Sequence, residues 1–248
     1  MSKTLVTIAT YNERENLPRL VDAVFQALPQ TDLLVVDDNS PDGTGQWCDE
    51  RARQDPRVRC LHREGKLGLG TATIAAMRYA VAQGYDYMLN LDADFSHPPE
   101  RLPALLAAMN PADGPAIDAA VGSRYIAGGG IEGWSFGRHL MSRGVNLYSR
   151  LLLGLSTRDC SGAFRCYRVA TLARLDLSAI RSRGYSFQEE ILWRLKRLGA
   201  RFAEAPFVFV DRRQGQSKIN LGEMFAALGI IARLGLENLF RPSPRAPR

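Results

Sequence analysis

The chain has 248 residues, 46% hydrophobic and 23% charged, a balance that supports a globular core and excludes a disordered or low-complexity protein. The opening MSKTLVTIATYNE turns polar after a short apolar run, so no signal peptide is expected. Residues 1–123 carry 11 Lys/Arg against 17 Asp/Glu and residues 124–213 carry 16 against 7, so the net charge of +6 hides an acidic half followed by a basic one suited to an anion.

In chain order, short β-rich runs at 4–9, 32–37, 57–62, 87–92 and 117–122 alternate with helical patterns over 14–28, 43–54, 70–83 and 99–109. Alternation of nearly continuous apolar strands with helices predicts a mainly parallel, Rossmann-like α/β sheet covered on both faces. The second half begins with the glycine run AGGGIEG (127–133), then a helix around 137–153, DCSGAFRCYR (159–168) and a helix around 186–198. One strand is expected over 201–210, followed by a basic loop over 211–220. An apolar final helix over 221–240 is interrupted by Glu223, Arg233 and Glu237, short of the roughly 20 apolar residues a membrane span needs. The reading is one domain over 1–220, an amphipathic helical extension over 221–240 and a disordered proline-arginine tail over 241–248.

Ligands of open parallel sheets bind beyond the carboxyl ends of the strands. Four such exits are charged here and supply Glu13, Asp37, Asp38, Asp92, Asp94 and Arg124. In YMLNLDADFSHPPE, Asp92 and Asp94 lie two apart on an extended segment, which aims both carboxylates the same way. Such hard oxygen ligands suit Mg2+ or Mn2+ shared with phosphates. Asp37 and Asp38 end another strand, where a carboxylate can accept hydrogen bonds from a base or ribose. Asp42, Pro41 and Gly43 are read as turn chemistry. Arg138 and Ser142, four residues apart, share a helical face, and Arg212, Arg213 and Lys218 sit on a glycine-containing loop able to fold over an anion.

Other motifs carry less. GKLGLGTA (65–72) matches neither the phosphate-loop nor the dinucleotide glycine pattern and is read as a loop entering a helix. None of His62, His97 and His139 has a triad or metal partner in sequence. Cys48, Cys60, Cys160 and Cys166 have no zinc or redox spacing and are read as reduced thiols. Aromatic interleaving and known nucleic-acid motifs are missing, so no nucleic-acid partner is expected.

TYNERENL, VVDDNSPDGT, LDADFSHPPE, GSRY, GWSFGRHLMSRG, SGAFRCYR, GYSFQEE and FVDRRQGQSK together resemble the polyprenol-phosphate (dolichol-phosphate) mannosyltransferases, inverting family-2 glycosyltransferases of the GT-A fold. The resemblance runs from residue 4 to about 220 and implies GDP-mannose as donor, a polyprenyl monophosphate as acceptor and Mg2+ or Mn2+ as cofactor. It implies that Ala9, Tyr11, Glu13, Val36 and Asp38 hold guanosine, with Ala9 standing where many relatives have proline. Asp92 and Asp94 would bind metal and diphosphate with Ala93 beside the nucleotide, and Ser96 would stand at a third metal position that is glutamine in some relatives. Arg212 and Lys218 would close over the diphosphate; Arg124, Arg138 and Ser142 would receive the acceptor phosphate. A peripheral location at the cytoplasmic membrane face follows, with small membrane-anchoring subunits as possible partners, as in some relatives. The alternatives are a UDP-sugar such as UDP-glucose as donor, or a non-catalytic nucleotide- and anion-binding regulator.

Overall fold

A computed structural model of the chain describes residues 2–182, 184, 186–211 and 221–240. Its first half is the expected alternation: β1 (Thr4–Thr10), α1 (Leu17–Ala27), β2 (Asp32–Asp37), α2 (Thr44–Gln54), β3 (Val58–His62), α3 (Leu69–Ala82) and β4 (Tyr87–Asp92). A 3-10 turn (Pro99–Arg101) leads into a short α4 (Leu102–Ala107), where one helix over 99–109 was expected; prolines at 98, 99 and 103 tighten its first turn. Then follow β5 (Ala119–Ser123), β6 (Gly130–Glu132), α5 (Phe136–Leu153), β7 (Arg165–Arg168), α6 (Val169–Leu172), α7 (Phe187–Arg197), β8 (Phe202–Pro206), β9 (Val208–Val210) and α8 (Leu221–Phe240).

Among the described residues seven strands form one sheet in the order β3-β2-β1-β4-β7-β5-β8, parallel throughout except for β7, which runs antiparallel to both β4 and β5. The period-two alternation of strand side chains sorts the core into two layers. Val6, Ile8, Leu33, Val35, Leu89 and Leu91 face the layer of α1 and α4, whereas Leu5, Leu34, Val36 and Met88 face that of α3, α6 and α7. Each such fully buried aliphatic side chain stabilises the fold by about 1.5–3 kcal/mol. This two-sided burial is why β1, β2 and β4 read as unbroken apolar runs.

Three departures from the sequence reading lie in the second half. The stretch 201–210 is two strands, because Pro206 closes β8, Phe207 N–H bonds to Ser123 O, and β9 leaves to pair with β6 in a separate two-stranded sheet. The glycine run holds β6, and Gly129 lets it fold back over the β5 exit, since a Cβ there would lie 2.5 Å from Ser123 O. Part of DCSGAFRCYR is β7, too short and too rich in arginine to announce itself as a strand.

The last helix spans the expected residues. Ile231 and Leu234 are buried with Leu153, Leu155, Leu192 and Trp193 of the α5 and α7 region, while Phe225, Leu236 and Phe240 are exposed. Among the described residues no helix is long and apolar enough to cross a membrane. Arg212, Arg213, Lys218 and the tail over 241–248 lie outside the described residues.

Candidate active site

The site grows from the carboxyl ends of β1, β2, β4 and β5. Ala9 lies in register with Val36 on one side and Asp92 on the other, so three of the expected donor-site residues share one level of the sheet. Among the described residues three that are not glycine have left-handed backbone, Asn12 (φ 61°), Asn39 (φ 58°) and Phe95 (φ 60°), and each lies two or three residues beyond one of these strand ends. Left-handed conformations cost L-residues energy and gather where chain direction serves a site. Here they turn the chain sharply just beyond β1, β2 and β4, where the polar exits lie.

At the β2 exit the two acids divide their roles. Asp37 is used internally, accepting from Thr10 Oγ1 (3.0 Å), Ser40 Oγ (2.6 Å) and Ser40 N–H (3.1 Å). Asp38, buried, lies 2.9 Å from Arg63 Nη1, close enough for an ion pair but misaligned for a hydrogen bond. Burial pushes the Asp38 carboxyl above its ordinary pKa, a push that Arg63 only partly offsets. Tyr11 is partly exposed with Lys66 Nζ 4.6 Å from its ring centre, and Glu13 Oε2 accepts from Asn16 Nδ2 (2.8 Å). The Asp42 turn behaves as read from sequence: its carboxylate accepts from Thr44 N–H, Thr44 Oγ1 and Arg14 N–H.

At the β4 exit, Leu89 and Leu91 fix the strand in the core and deliver Asp92 to the crevice. Asp94 Oδ1 accepts from Ser96 N–H (3.0 Å), which closes the D-x-D loop. No local pattern assigns a role to His97, yet it is fully buried behind this loop and its Nδ1 accepts from Asp92 N–H (3.0 Å). Its ring stacks on Phe164 at 5.3 Å and meets the edges of Phe207 and Phe209. Burial holds its pKa below the ordinary value, against the opposing pull of Asp92 and Asp94, so the ring is a neutral prop for the loop. Two carboxylates on a rigid, aromatic-backed turn are a fitting donor set for a hard divalent cation. A separate group, Asp49, Cys60 and His62, has its ligand atoms within 4.8 Å of one another on α2 and β3.

At the β5 exit, Arg124 is buried and held by Asp159 through its N–H (3.1 Å), Nε (2.6 Å) and Nη2 (2.7 Å), with Ser161 Oγ at 3.0 Å from Nη2. Burial alone would lower the Arg124 pKa, but the hydrogen bonds and charge of Asp159 outweigh it and hold it above the ordinary value. Arg138 is paired with Asp211 (2.6 Å) and stacked over Trp134, 4.1 Å from the ring centre. Ser142 Oγ lies 2.7 Å from Tyr125 Oη. Arg124 at the β5 exit and Arg138 and Ser142 on α5 line one cavity of about 280 Å³. Its other walls include Trp134, Met141, Val145, Phe209, Leu228 and Ile231 from β9, α5, α8 and the segment before α5. Glu189 also faces this cavity. Sequence reasoning missed Asp159, Asp211, Trp134 and Glu189, because nothing in local spacing tells which acid meets which arginine across the fold; Asp159 and Glu189 did sit in or beside DCSGAFRCYR and GYSFQEE.

The β3-β2-β1-β4-β7-β5-β8 sheet, with a D-x-D turn at the β4 exit and an arginine-lined cavity at the β5 exit, has the GT-A fold. The chain belongs to glycosyl transferase family 2, whose model matches residues 5–175. It is 45% identical over 234 residues to an undecaprenyl-phosphate mannosyltransferase of Micrococcus luteus, covering 94% of each chain. It is 43% identical to a polyprenol monophosphomannose synthase of Mycolicibacterium smegmatis, covering 94% of this chain and 87% of that one. The fold matches a solved glucosyl-3-phosphoglycerate synthase of Mycobacterium tuberculosis in complex with Mn2+, UDP and phosphoglyceric acid, with TM-score 0.66, 20% identity, and coverage of 95% of this chain and 78% of that one.

Proposed function

We propose that the enzyme transfers mannose from GDP-mannose to a polyprenyl monophosphate, with inversion from the α-linked donor to a β-linked mannosyl phospholipid. The observation that carries this reading is the cavity: cationic Arg124 and Arg138 and the Ser142 hydroxyl share it with Trp134, Met141, Val145, Phe209, Leu228 and Ile231. An acceptor with an anionic head and an apolar chain matches both linings. The two relatives named above act on such lipids by their names.

Asp38 favours guanine over uracil. A carboxylate accepts two parallel donors well, and guanine offers adjacent N1–H and N2–H groups where uracil offers one N–H. Ala9, Val36 and Tyr11 would flank the nucleoside, Glu13 would reach it from the β1 exit, and Ala93 would lie beside it. Asp92 and Asp94, with Ser96 as the third candidate ligand, would hold Mg2+ or Mn2+, which when bound supplies positive charge to the departing diphosphate. Arg212 and Lys218 are assigned to the same diphosphate.

The chain's own chemistry then needs no base. A phosphate monoester is already ionised near neutral pH, with its second pKa about 6. Its oxygen attacks the anomeric carbon as the bond to the diphosphate breaks. Arg124 and Arg138 neutralise the incoming phosphate, and Asp159 and Trp134 hold those guanidinium groups in place. Positioning and electrostatics therefore do the catalytic work.

The lipid acceptor brings the enzyme to a membrane. On α5, Phe136, Leu140, Leu147 and Leu151 recur at helical spacing and are 83%, 63%, 55% and 73% exposed; Phe225, Leu236 and Phe240 do the same on the neighbouring α8. Arg143, Arg150 and Arg158 border this surface, so an apolar stripe edged by cations would suit an anionic bilayer face. We read the protein as peripheral at the cytoplasmic face, with α8 serving both the core and the membrane.

The test is incubation of enzyme, Mg2+ and GDP-mannose with polyprenyl phosphate, following GDP release and mannosyl lipid, with UDP-glucose as rival donor. Lipid-dependent turnover of GDP-mannose and a β-linkage by NMR are expected. Equal or better turnover of UDP-glucose, or none that depends on lipid, overturns the reading.

A further inference from the structure

The acceptor clamp leaves one member of the cavity without a task. Glu189 lies in the first turn of α7, is 2% exposed, and lines the same cavity as Arg124, Arg138 and Ser142. Its Oε2 is buried with no hydrogen-bond partner among the described residues. An acceptor oxygen left so is costly, and such atoms in native proteins have a reason to exist.

Neither nearby arginine uses it by contact. Arg165 donates to the carbonyls of Gly162, Gln188 and Cys160, and Arg124 donates to Asp159 and Ser161. Nor is an acceptor phosphate its partner, since Arg124, Arg138 and Ser142 take that group and the carboxyl repels it whenever ionised. A hydroxyl is the complementary group. The cavity also holds Ser161 and Ser186, whose hydroxyls can donate and accept, and its Arg124 follows β5, two strands along the sheet from the β4 exit that carries Asp92. A group seated between diphosphate and acceptor phosphate, and bearing several hydroxyls, is the transferred sugar.

We propose that Glu189 is a specificity-determining residue that reads the donor sugar, its Oε2 accepting a hydrogen bond from one hydroxyl of the pyranose. The assignment rests on the mannosyl-transfer reading above and adds the residue that would distinguish one hexose from another. A polar site built for a hydroxyl rejects an analogue lacking it, because its own buried group is then left unpaired.

The experiment is a cycle of kcat/KM values for wild type, Glu189→Gln and Glu189→Asp on GDP-mannose and on its 2-, 3-, 4- and 6-deoxy analogues. Wild type should lose roughly tenfold to a hundredfold with one analogue, the scale of a hydrogen bond to a charged group. Glu189→Gln should lose a similar factor with GDP-mannose and little more with that same analogue, while the other analogues lose alike in both proteins. Thermal melts identify a variant that fails to fold, and Glu189→Asp, which keeps the charge, then carries the cycle. Wild-type turnover with additive losses for every analogue overturns the assignment alone, as expected if Glu189 merely balances Arg165 at a distance. Absence of wild-type turnover of GDP-mannose overturns the donor reading and the assignment with it.

Discussion

Replacing Asp159 by asparagine should be among the most damaging single-atom changes in this protein. Asp159 is fully buried and accepts four hydrogen bonds, three from Arg124 and one from Gly162 N–H. Asparagine keeps one acceptor oxygen but turns an amide N–H2 toward a guanidinium that can only donate, and it leaves the Arg124 charge uncompensated at 8% exposure. Breaking a buried pair in this way costs about 3–5 kcal/mol. At about 2–4 °C per kcal/mol for a chain of this size, Tm should fall by roughly 6–20 °C. Urea unfolding followed by circular dichroism measures the loss directly. The double variant Arg124→Met/Asp159→Leu should recover most of it, since well-packed apolar groups can replace a buried ion pair. Transfer activity should stay lost in that double variant, because the phosphate clamp is gone. A loss below about 1 kcal/mol for Asp159→Asn, the scale of an exposed pair, would refute the reasoning.

Asp94→Asn should lower kcat by at least about a hundredfold, because a metal-held charge on the leaving group is worth several kcal/mol, and should abolish the Mn2+-induced rise in Tm expected of wild type. Equal activity of the variant and wild type in excess EDTA and in Mg2+ would count against metal catalysis. Burial pushes the Glu189 carboxyl up to about 7 from 4.5, with Arg165 and Arg124 opposing and Asp159 assisting. The folded state therefore binds the extra proton between those values, and wild type should lose stability relative to Glu189→Gln as pH rises from 4.5 to about 7, then level off; a flat difference in unfolding free energy would contradict this sign. Converting Phe136, Leu140 and Leu151 to serine should cut binding to anionic vesicles by at least about tenfold, since each exposed side chain contributes roughly 1.5–3 kcal/mol when buried in lipid. Unfolding temperature should hardly change, as these side chains touch water rather than core; cosedimentation checks the first effect and a thermal melt the second.

The parallel half of the sheet was legible because buried strands need long apolar runs and helices between them need amphipathic ones, both of which are local patterns. β4 and its D-x-D turn were read directly for this reason, as was the shared helical face of Arg138 and Ser142. β7 was not legible: four residues, two of them arginines, become a strand only because β4 and β5 stand open on either side. The division of 201–210 into β8 and β9 likewise depends on the partners each piece finds, β5 and β6. The sequence by itself determined that Glu13, Asp38, Asp92, Asp94 and Arg124 stand at or just beyond strand ends, since apolar strands and the polar motifs that follow them are local patterns. Tertiary structure alone decided which acids neutralise Arg124 and Arg138, that neutral His97 braces Asp92, and that Glu189 faces the cavity with its Oε2 unbonded among the described residues. Those pairings join residues between 5 and 73 positions apart in the chain, and only packing fixes them.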